Sequence, residues 1–179
     1  MKHIQLAPVF GPLEISTFGY QLASHNRFSE GQLSDSYDLK IWPAIFVYDI
    51  LQLPGTLAMV LGHTSSVDVT RVMTPAKYTE ENRSKAMDNS QIVDGDIQGM
   101  VVLGRGRDNR KAIADYYGDE FKRQTIEVEI DLENGRRLTI EAYAWVPVDS
   151  GAKGPANDML YDAAAYDTKD VGENATWWW

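Results

Sequence analysis

The chain has 179 residues, of which 44% are hydrophobic and 24% charged, and its formal net charge is −9. This length and composition predict one globular domain with extensions. The acidic balance leaves no basic face for a phosphate backbone, so nucleic acid is excluded as a partner. Cysteine is absent, which removes disulfides, thiol nucleophiles and zinc–thiolate sites and favours a cytoplasmic location.

The N-terminal part of the chain predicts an extension followed by a strand and a helix. Residues 1–40 are rich in Ser, Gly, Pro and Gln and are interpreted as an extension partly ordered against the core. No stretch approaches the roughly 20 apolar residues of a membrane helix, so no membrane partner is expected. The run IWPAIFVYDI (41–50) predicts a central strand, and LPGTLAMVLG (53–62) predicts a helix that Gly62 ends.

The middle of the chain alternates between strand and helix patterns. The segments SVDVTRVMTPAKYT (66–79), QIV (91–93) and IQGMVVL (97–103) predict strands. The basic run at 104–111 is interpreted as a solvated loop leading into a short helix, with Asp108 as its N-cap and Gly118 as its end.

The segment RQTIEVEIDLENGRRLTIEAYAWV (123–146) predicts a β-hairpin, because apolar and polar residues alternate on both sides of the Asn134-Gly135 turn. Residues 149–179 are interpreted as an acidic extension containing a helix. They end in Trp177–Trp179, whose apolar area we expect to be covered by the core or by a second subunit, so a homodimer is a candidate assembly. Together the patterns predict an α+β domain at 41–148 whose sheet curls into a small barrel.

The order of these motifs resembles the γ-glutamylcyclotransferase-like family, its AIG2-like branch in particular. That family has a strand-loop motif F-V-Y-G-[ST]-L, a helix ending near L-G, a V-x-G strand, an acidic turn L-D-x-F-E-G-x-x-Y and a hairpin closing on A-x-x-Y-V. The resemblance implies a small mixed β-barrel with surrounding short helices and a pocket where the first strand meets its loop. Its counterparts here are FVYDIL (46–51), VLG (60–62), VDGDIQGMVVLG (93–104), IADYYGDEF (113–121) and EAYAWV (141–146).

The resemblance implies an intramolecular reaction in which a γ-glutamyl amine attacks its own side-chain carbonyl and releases 5-oxoproline. Two features of that reaction are altered in this sequence. The loop glycine is Asp49 and the loop Ser/Thr is Ile50, so a negative charge lies where a substrate carboxylate is held. At about 4 Å that repulsion costs several kcal/mol at an effective dielectric near 20. The glutamate that takes the proton is replaced by Tyr117, and a phenol is a poor base at neutral pH.

The altered pocket nominates three catalytic candidates, each with a structural alternative. Asp49 is either an acid/base whose pKa apolar neighbours raise or a water-exposed cap of the following helix. Tyr117 is either a hydrogen-bond donor to substrate or core packing. Glu120, three residues beyond the lost carboxylate, is either its replacement or a surface acid. The candidate substrate-binding residues are Tyr48, Ile50, Leu51 and Tyr143, of which the tyrosines are also ordinary core residues.

Three functions are consistent with these residues. The first is a cofactor-independent enzyme of small-molecule biosynthesis (secondary metabolism), a cyclase, isomerase or lyase that works by positioning and acid/base catalysis. The second is a non-catalytic binding or scaffold module on the same fold, and the third a residual γ-glutamyl cyclotransferase using Glu120. We expect a substrate more apolar than a γ-glutamyl peptide, no cofactor, and no metal because the three histidines lack ligand spacing.

Overall fold

The computed structural model describes residues 14–63, 65–79, 81–82 and 96–148, with side chains described from Gly19 onward. Three predictions lie outside these residues: the strand at 91–93, the C-terminal helix and the packing of Trp177–Trp179. Within the described ranges, no helix combines the length and the apolar character needed to cross a membrane.

The described part of the chain forms a closed five-stranded β-barrel with short helices around it, which confirms the predicted α+β barrel. The strand order around the barrel is β1-β3-β2-β4-β5. All described pairings are antiparallel except that of β1 with β5, which is parallel. The strands are β1 (Ala44–Val47), β2 (Met73–Tyr78), β3 (Ile97–Val102), β4 (Phe121–Asp131) and β5 (Arg137–Pro147).

The helices lie outside the barrel or close its end. Ala23 of α1 is buried with the outer faces of the strands, whereas Phe28 and Leu33, near and within α2, are buried with the barrel interior. Residues 14–36 therefore pack on the barrel. The helices are α1 (Glu14–His25), α2 (Glu30–Ser36), α3 (Pro54–Val60), α4 (Val67–Thr70) and α5 (Arg107–Tyr117).

Strand β1 is buried on both faces, which explains why its sequence is continuously apolar. Phe46 points into the barrel interior together with residues of the other strands, while Ile45 and Val47 pack beneath the helices. The strand is shorter than the predicted 41–50. Ile41 and Trp42 are exposed, and the Trp42 amide donates to the Asp38 carbonyl at 2.8 Å in a turn.

The hairpin prediction is confirmed in strands β4 and β5. Their register runs from Phe121 opposite Pro147 to Asp131 opposite Arg137. Gly135 occupies the turn with a φ of 79°, a conformation that residues with a Cβ rarely adopt. The terminal glycines predicted for α3 and α5 also have positive φ, 72° at Gly62 and 69° at Gly118.

Two local predictions are wrong. The segment predicted as a strand at 66–79 begins with the short helix α4, and β2 starts only at Met73. The Asn26 side chain donates to the carbonyls of Thr70 and Met73 at 2.7 and 2.9 Å, so a residue 44 positions away stabilises this helix end. Helix α5 begins at Arg107 with Gly106 as its N-cap, and not with Asp108.

Candidate functional site

Asp49 lies at the junction between β1 and the helical segment that follows. It is the N-cap of a 3₁₀ turn at Ile50–Gln52, and its Oδ1 accepts a hydrogen bond from the Leu51 amide at 3.0 Å. Only 9% of the residue is exposed. Asp49 is therefore a cap, as the structural alternative proposed, but it is a buried cap and not a water-exposed one.

Tyr117 contacts Asp49 from the C-terminal end of α5, just before β4 begins. It is the last residue of α5, is 8% exposed, and its hydroxyl donates to Asp49 Oδ2 at 2.8 Å. The helix ends at Gly118, whose left-handed conformation turns the chain into β4. The structure thus joins two of the three predicted catalytic residues; we call them the Asp49–Tyr117 pair.

Aromatic rings enclose this pair. The Tyr117 ring stacks on Trp145, with centroids 5.7 Å apart and an interplanar angle of 11°. Tyr116 and Phe121 lie at 5.3 and 5.2 Å from the same ring. The Tyr48 hydroxyl donates to the Trp145 carbonyl at 2.7 Å, which ties the end of β1 to β5. The pair is consequently shielded from water on several sides.

Burial controls the ionisation of both groups. It raises the pKa of Asp49, and the hydrogen bonds from Tyr117 and the Leu51 amide partly offset that increase. Burial also raises the pKa of Tyr117 well above its ordinary value, and the neighbouring Asp49 charge adds to the effect. No ion pair of the described residues includes Asp49. The result is a buried carboxylate whose negative charge is stabilised by hydrogen bonds alone.

The other predicted site residues are distributed more widely. Leu51 is fully buried, whereas Ile50 is 40% exposed. Glu120 is exposed, and its backbone carbonyl accepts from the Val148 amide at 2.9 Å. Tyr143 is half-buried and contacts Arg110 and Arg123, whose Cζ atoms lie 5.4 and 4.3 Å from its ring centroid. The structure therefore brings together Asp49 and Tyr117, with Tyr48 linked to them through Trp145.

A groove of about 910 Å³ runs beside the pair along α5 and β4. Trp145 lines this groove and also stacks on Tyr117, so one side chain touches both features. This groove was not predicted from the sequence, although the basic run at 104–111 supplies three of its cations. One of them, Arg110, is buried, contrary to the solvated interpretation of that run. The groove residues are Trp42, Arg107, Arg110, Lys111, Ala114, Asp115, Gly118, Asp119, Phe121, Arg123 and Trp145.

Fold and site together define a small mixed β-barrel with a buried carboxylate–phenol pair beside a cationic groove. No family model and no curated protein matches the chain. Two solution structures from Arabidopsis thaliana are similar in part. The structure of At3g28950.1 is 20% identical, with a TM-score of 0.43, and the match covers 69% of this chain and 71% of that chain. The structure of At5g39720.1 is 17% identical, with a TM-score of 0.41, and the match covers 69% of this chain and 78% of that chain.

The substitution Asp49→Asn is expected to stabilise the protein at pH 8 by on the order of 1 kcal/mol, because it removes a buried charge and keeps an acceptor for the Leu51 amide. Burial raises the pKa of Asp49 in the folded protein above its unfolded value. The protonated carboxyl therefore stabilises the wild-type fold below the unfolded pKa, and this stabilisation is lost as the pH rises through the folded-state pKa. The gain should therefore shrink toward pH 4. Urea unfolding at both pH values measures it, and a variant less stable than wild type at pH 8 would contradict the prediction.

Proposed function

We propose that the chain is a cofactor-independent small-molecule enzyme of the cytoplasm in which the Asp49–Tyr117 pair performs acid/base catalysis. The reaction class is cyclisation, isomerisation or elimination, as expected for a repurposed cyclotransferase-like pocket. The observation that carries the proposal is the hydrogen bond of 2.8 Å between two buried ionisable groups with no described cation beside them.

A buried carboxylate without a cation is costly, and a neutral residue could pack at the same position. Perturbed carboxylates of this kind cluster at functional sites. A raised pKa also makes Asp49 a stronger base than an exposed aspartate, since its conjugate acid holds the proton more tightly. The site thus holds the Asp49 carboxylate, which is costly to bury, at a position where it can act as a base.

The chemistry is a balanced proton transfer. Asp49 takes a proton from the substrate, the electron pair left behind forms the new bond or expels the leaving group, and the protonated carboxyl returns its proton to the product. Tyr117, whose raised pKa keeps it neutral, donates a hydrogen bond to a substrate oxygen as Asp49 becomes neutral. The proposal requires the reacting atom to reach the pair, of which 9% of Asp49 and 8% of Tyr117 is exposed.

One specific observation favours a non-catalytic binding module as the second candidate. The Asp49 carboxylate already accepts from the Leu51 amide and the Tyr117 hydroxyl. In this alternative, Asp49 fills the loop's anion site as an internal ligand and locks β1 to α5, and the groove binds a molecule without converting it. No contact of the exposed Glu120 supports the third candidate, a residual cyclotransferase.

The test compares wild type with Asp49→Asn in a small-molecule extract of the source cells, followed by mass spectrometry. For the wild type we expect a product of unchanged mass, or of the mass of its precursor minus a small leaving group, that the variant does not form. Lys122→Gln, on exposed β4 surface, is the control and should match wild type. γ-Glutamyl dipeptides should release no 5-oxoproline. Identical product profiles for wild type and a folded Asp49→Asn protein would reject the enzyme and leave the binding module.

A further inference from the structure

Cationic and aromatic side chains alternate in a row whose members Trp42, Arg110 and Arg123 line the groove. The Arg110 guanidinium carbon lies 5.5 Å from the Trp42 ring centroid and 5.4 Å from that of Tyr143, and Arg123 lies 4.3 Å from Tyr143. These distances are within the range of cation–π contact. The series Trp42, Arg110, Tyr143, Arg123, which we call the cation–aromatic row, is drawn from the N-terminal side of β1, from α5, from β5 and from β4.

Arg110 is the most deeply buried of the three arginines that line the groove. It is 8% exposed; its Nε donates to the Arg105 carbonyl at 2.8 Å and its Nη2 to the Pro43 carbonyl. Its Nη1 has no hydrogen-bond partner among the described residues. Burial lowers the pKa of this guanidinium, yet arginine keeps its charge at neutral pH. No ion pair of the described residues includes Arg110, so its charge is not offset locally and adds positive potential to the groove that it lines.

The groove carries a net positive charge, whereas the whole protein is acidic. Four cations and two acids line it, in a chain whose formal net charge is −9. Lys111 and Asp115 form an ion pair at 2.5 Å, so these two charges offset each other. Three arginines then face the groove with Asp119 as the remaining acid. An acidic protein that concentrates arginines along one groove attracts anions to that groove.

We propose that this groove binds a small organic anion with a flat aromatic body. Its carboxylate or equivalent acid group lies among Arg107, Arg110 and Arg123, which present planar donors suited to such groups. Its ring lies against Trp42, which is 38% exposed, and against Phe121. The volume of about 910 Å³ suits a small molecule. The claim that this ligand is the substrate rests on the proposed function. The claim that it binds in the groove does not.

The test uses three probes with the full-length protein: naphthoate, the uncharged naphthamide, and inorganic phosphate. Binding is followed by the NMR shift of the Trp42 indole N–H group, which is assigned as the signal missing from Trp42→Phe. We expect saturable binding of naphthoate, and binding at least about tenfold weaker for naphthamide and for phosphate, a difference of about 1.4 kcal/mol. Equal binding of naphthamide would overturn the anion site, and equal binding of phosphate would overturn the aromatic part.

Arg123→Gln should weaken naphthoate binding about tenfold. Lys122→Gln, the neighbouring residue whose side chain points to the other face of β4 and which does not line the groove, should leave it unchanged. Arg110 is unsuitable as the first variant because its hydrogen bonds also hold the Pro43 and Arg105 carbonyls. Equal losses in both variants would overturn the proposal, since they would reflect net charge.

Asp49→Asn separates this inference from the proposed function. The variant should still bind naphthoate, because Asp49 is not among the residues that line the groove. Binding retained without any Asp49-dependent conversion would reject the enzyme alone. Asp49-dependent conversion without naphthoate binding would reject the groove ligand alone.

Discussion

Replacing Tyr117 by phenylalanine is expected to lower the free energy of unfolding by about 2 kcal/mol at pH 8, because Asp49 Oδ2 then loses its hydrogen-bond donor inside the protein. The aromatic ring remains, so its stacking on Trp145 is preserved and the change isolates the hydroxyl. If the proposed enzyme is correct, the same variant also loses most of its activity. Urea unfolding measures the first effect, and the extract assay measures the second.

The pH dependence of this effect has a definite sign. The Tyr117 hydrogen bond lowers the pKa of Asp49, so its removal raises that pKa further above the unfolded value. In the folded variant, Asp49 then keeps its proton up to a higher pH than in the folded wild type. The free energy of unfolding of the variant therefore falls by a larger amount as the pH rises from the unfolded pKa to the folded-state pKa. The difference between wild type and Tyr117→Phe should therefore be larger at pH 8 than at pH 4.

Tyr116→Phe is the matched control. Tyr116 is half-buried beside the same ring, and its hydroxyl makes no hydrogen bond within the part of the chain that the structure describes. Its loss should change the unfolding free energy by less than about 0.5 kcal/mol. Equal destabilisation by the two variants would show that the 2.8 Å hydrogen bond does not stabilise the fold.

Gly99→Ala is expected to destabilise the barrel by about 3 kcal/mol, at the upper end of the usual cost of overpacking. A Cβ at this position in β3 would lie 2.6 Å from the Phe46 ring and 2.6 Å from the Val47 carbonyl oxygen. The carbonyl cannot move away easily, because Val47 is paired with Met100 in the adjoining strand register. Chemical denaturation measures the loss.

Gly31→Ala provides the comparison for this variant. Gly31 lies on the exposed surface of α2, where an added Cβ meets nothing closer than 3.8 Å. Alanine there should stabilise the protein by about 0.5 to 1 kcal/mol, since it favours the helix. If Gly99→Ala were as well tolerated as Gly31→Ala, the close approach of β1 and β3 would be wrong. The register of β1 determines where Asp49 lies, so this packing also positions the candidate site.

The sequence by itself determined the elements whose pattern is local. The β4–β5 hairpin follows from alternation within each strand and from the Asn134-Gly135 turn, and the ends of α3 and α5 follow from single glycines. The class of the fold followed from the order of these elements. Segment 66–70 was misassigned as strand because Val67 and Val69 alternate with the period of a strand, whereas the contact that stabilises the helical turn comes from Asn26, 44 residues away.

The family resemblance nominated Asp49 and Tyr117 for one pocket, but only the tertiary structure decided how the two side chains meet and which groove lies beside them. Asp49 and Tyr117 are 68 residues apart, and nothing near either residue specifies that a phenol meets a carboxylate. The groove likewise gathers Trp42, Arg110 and Arg123 from three separate elements. Burial, ionisation and charge complementarity depend on which surfaces face each other after the barrel closes, and local sequence patterns do not encode those contacts.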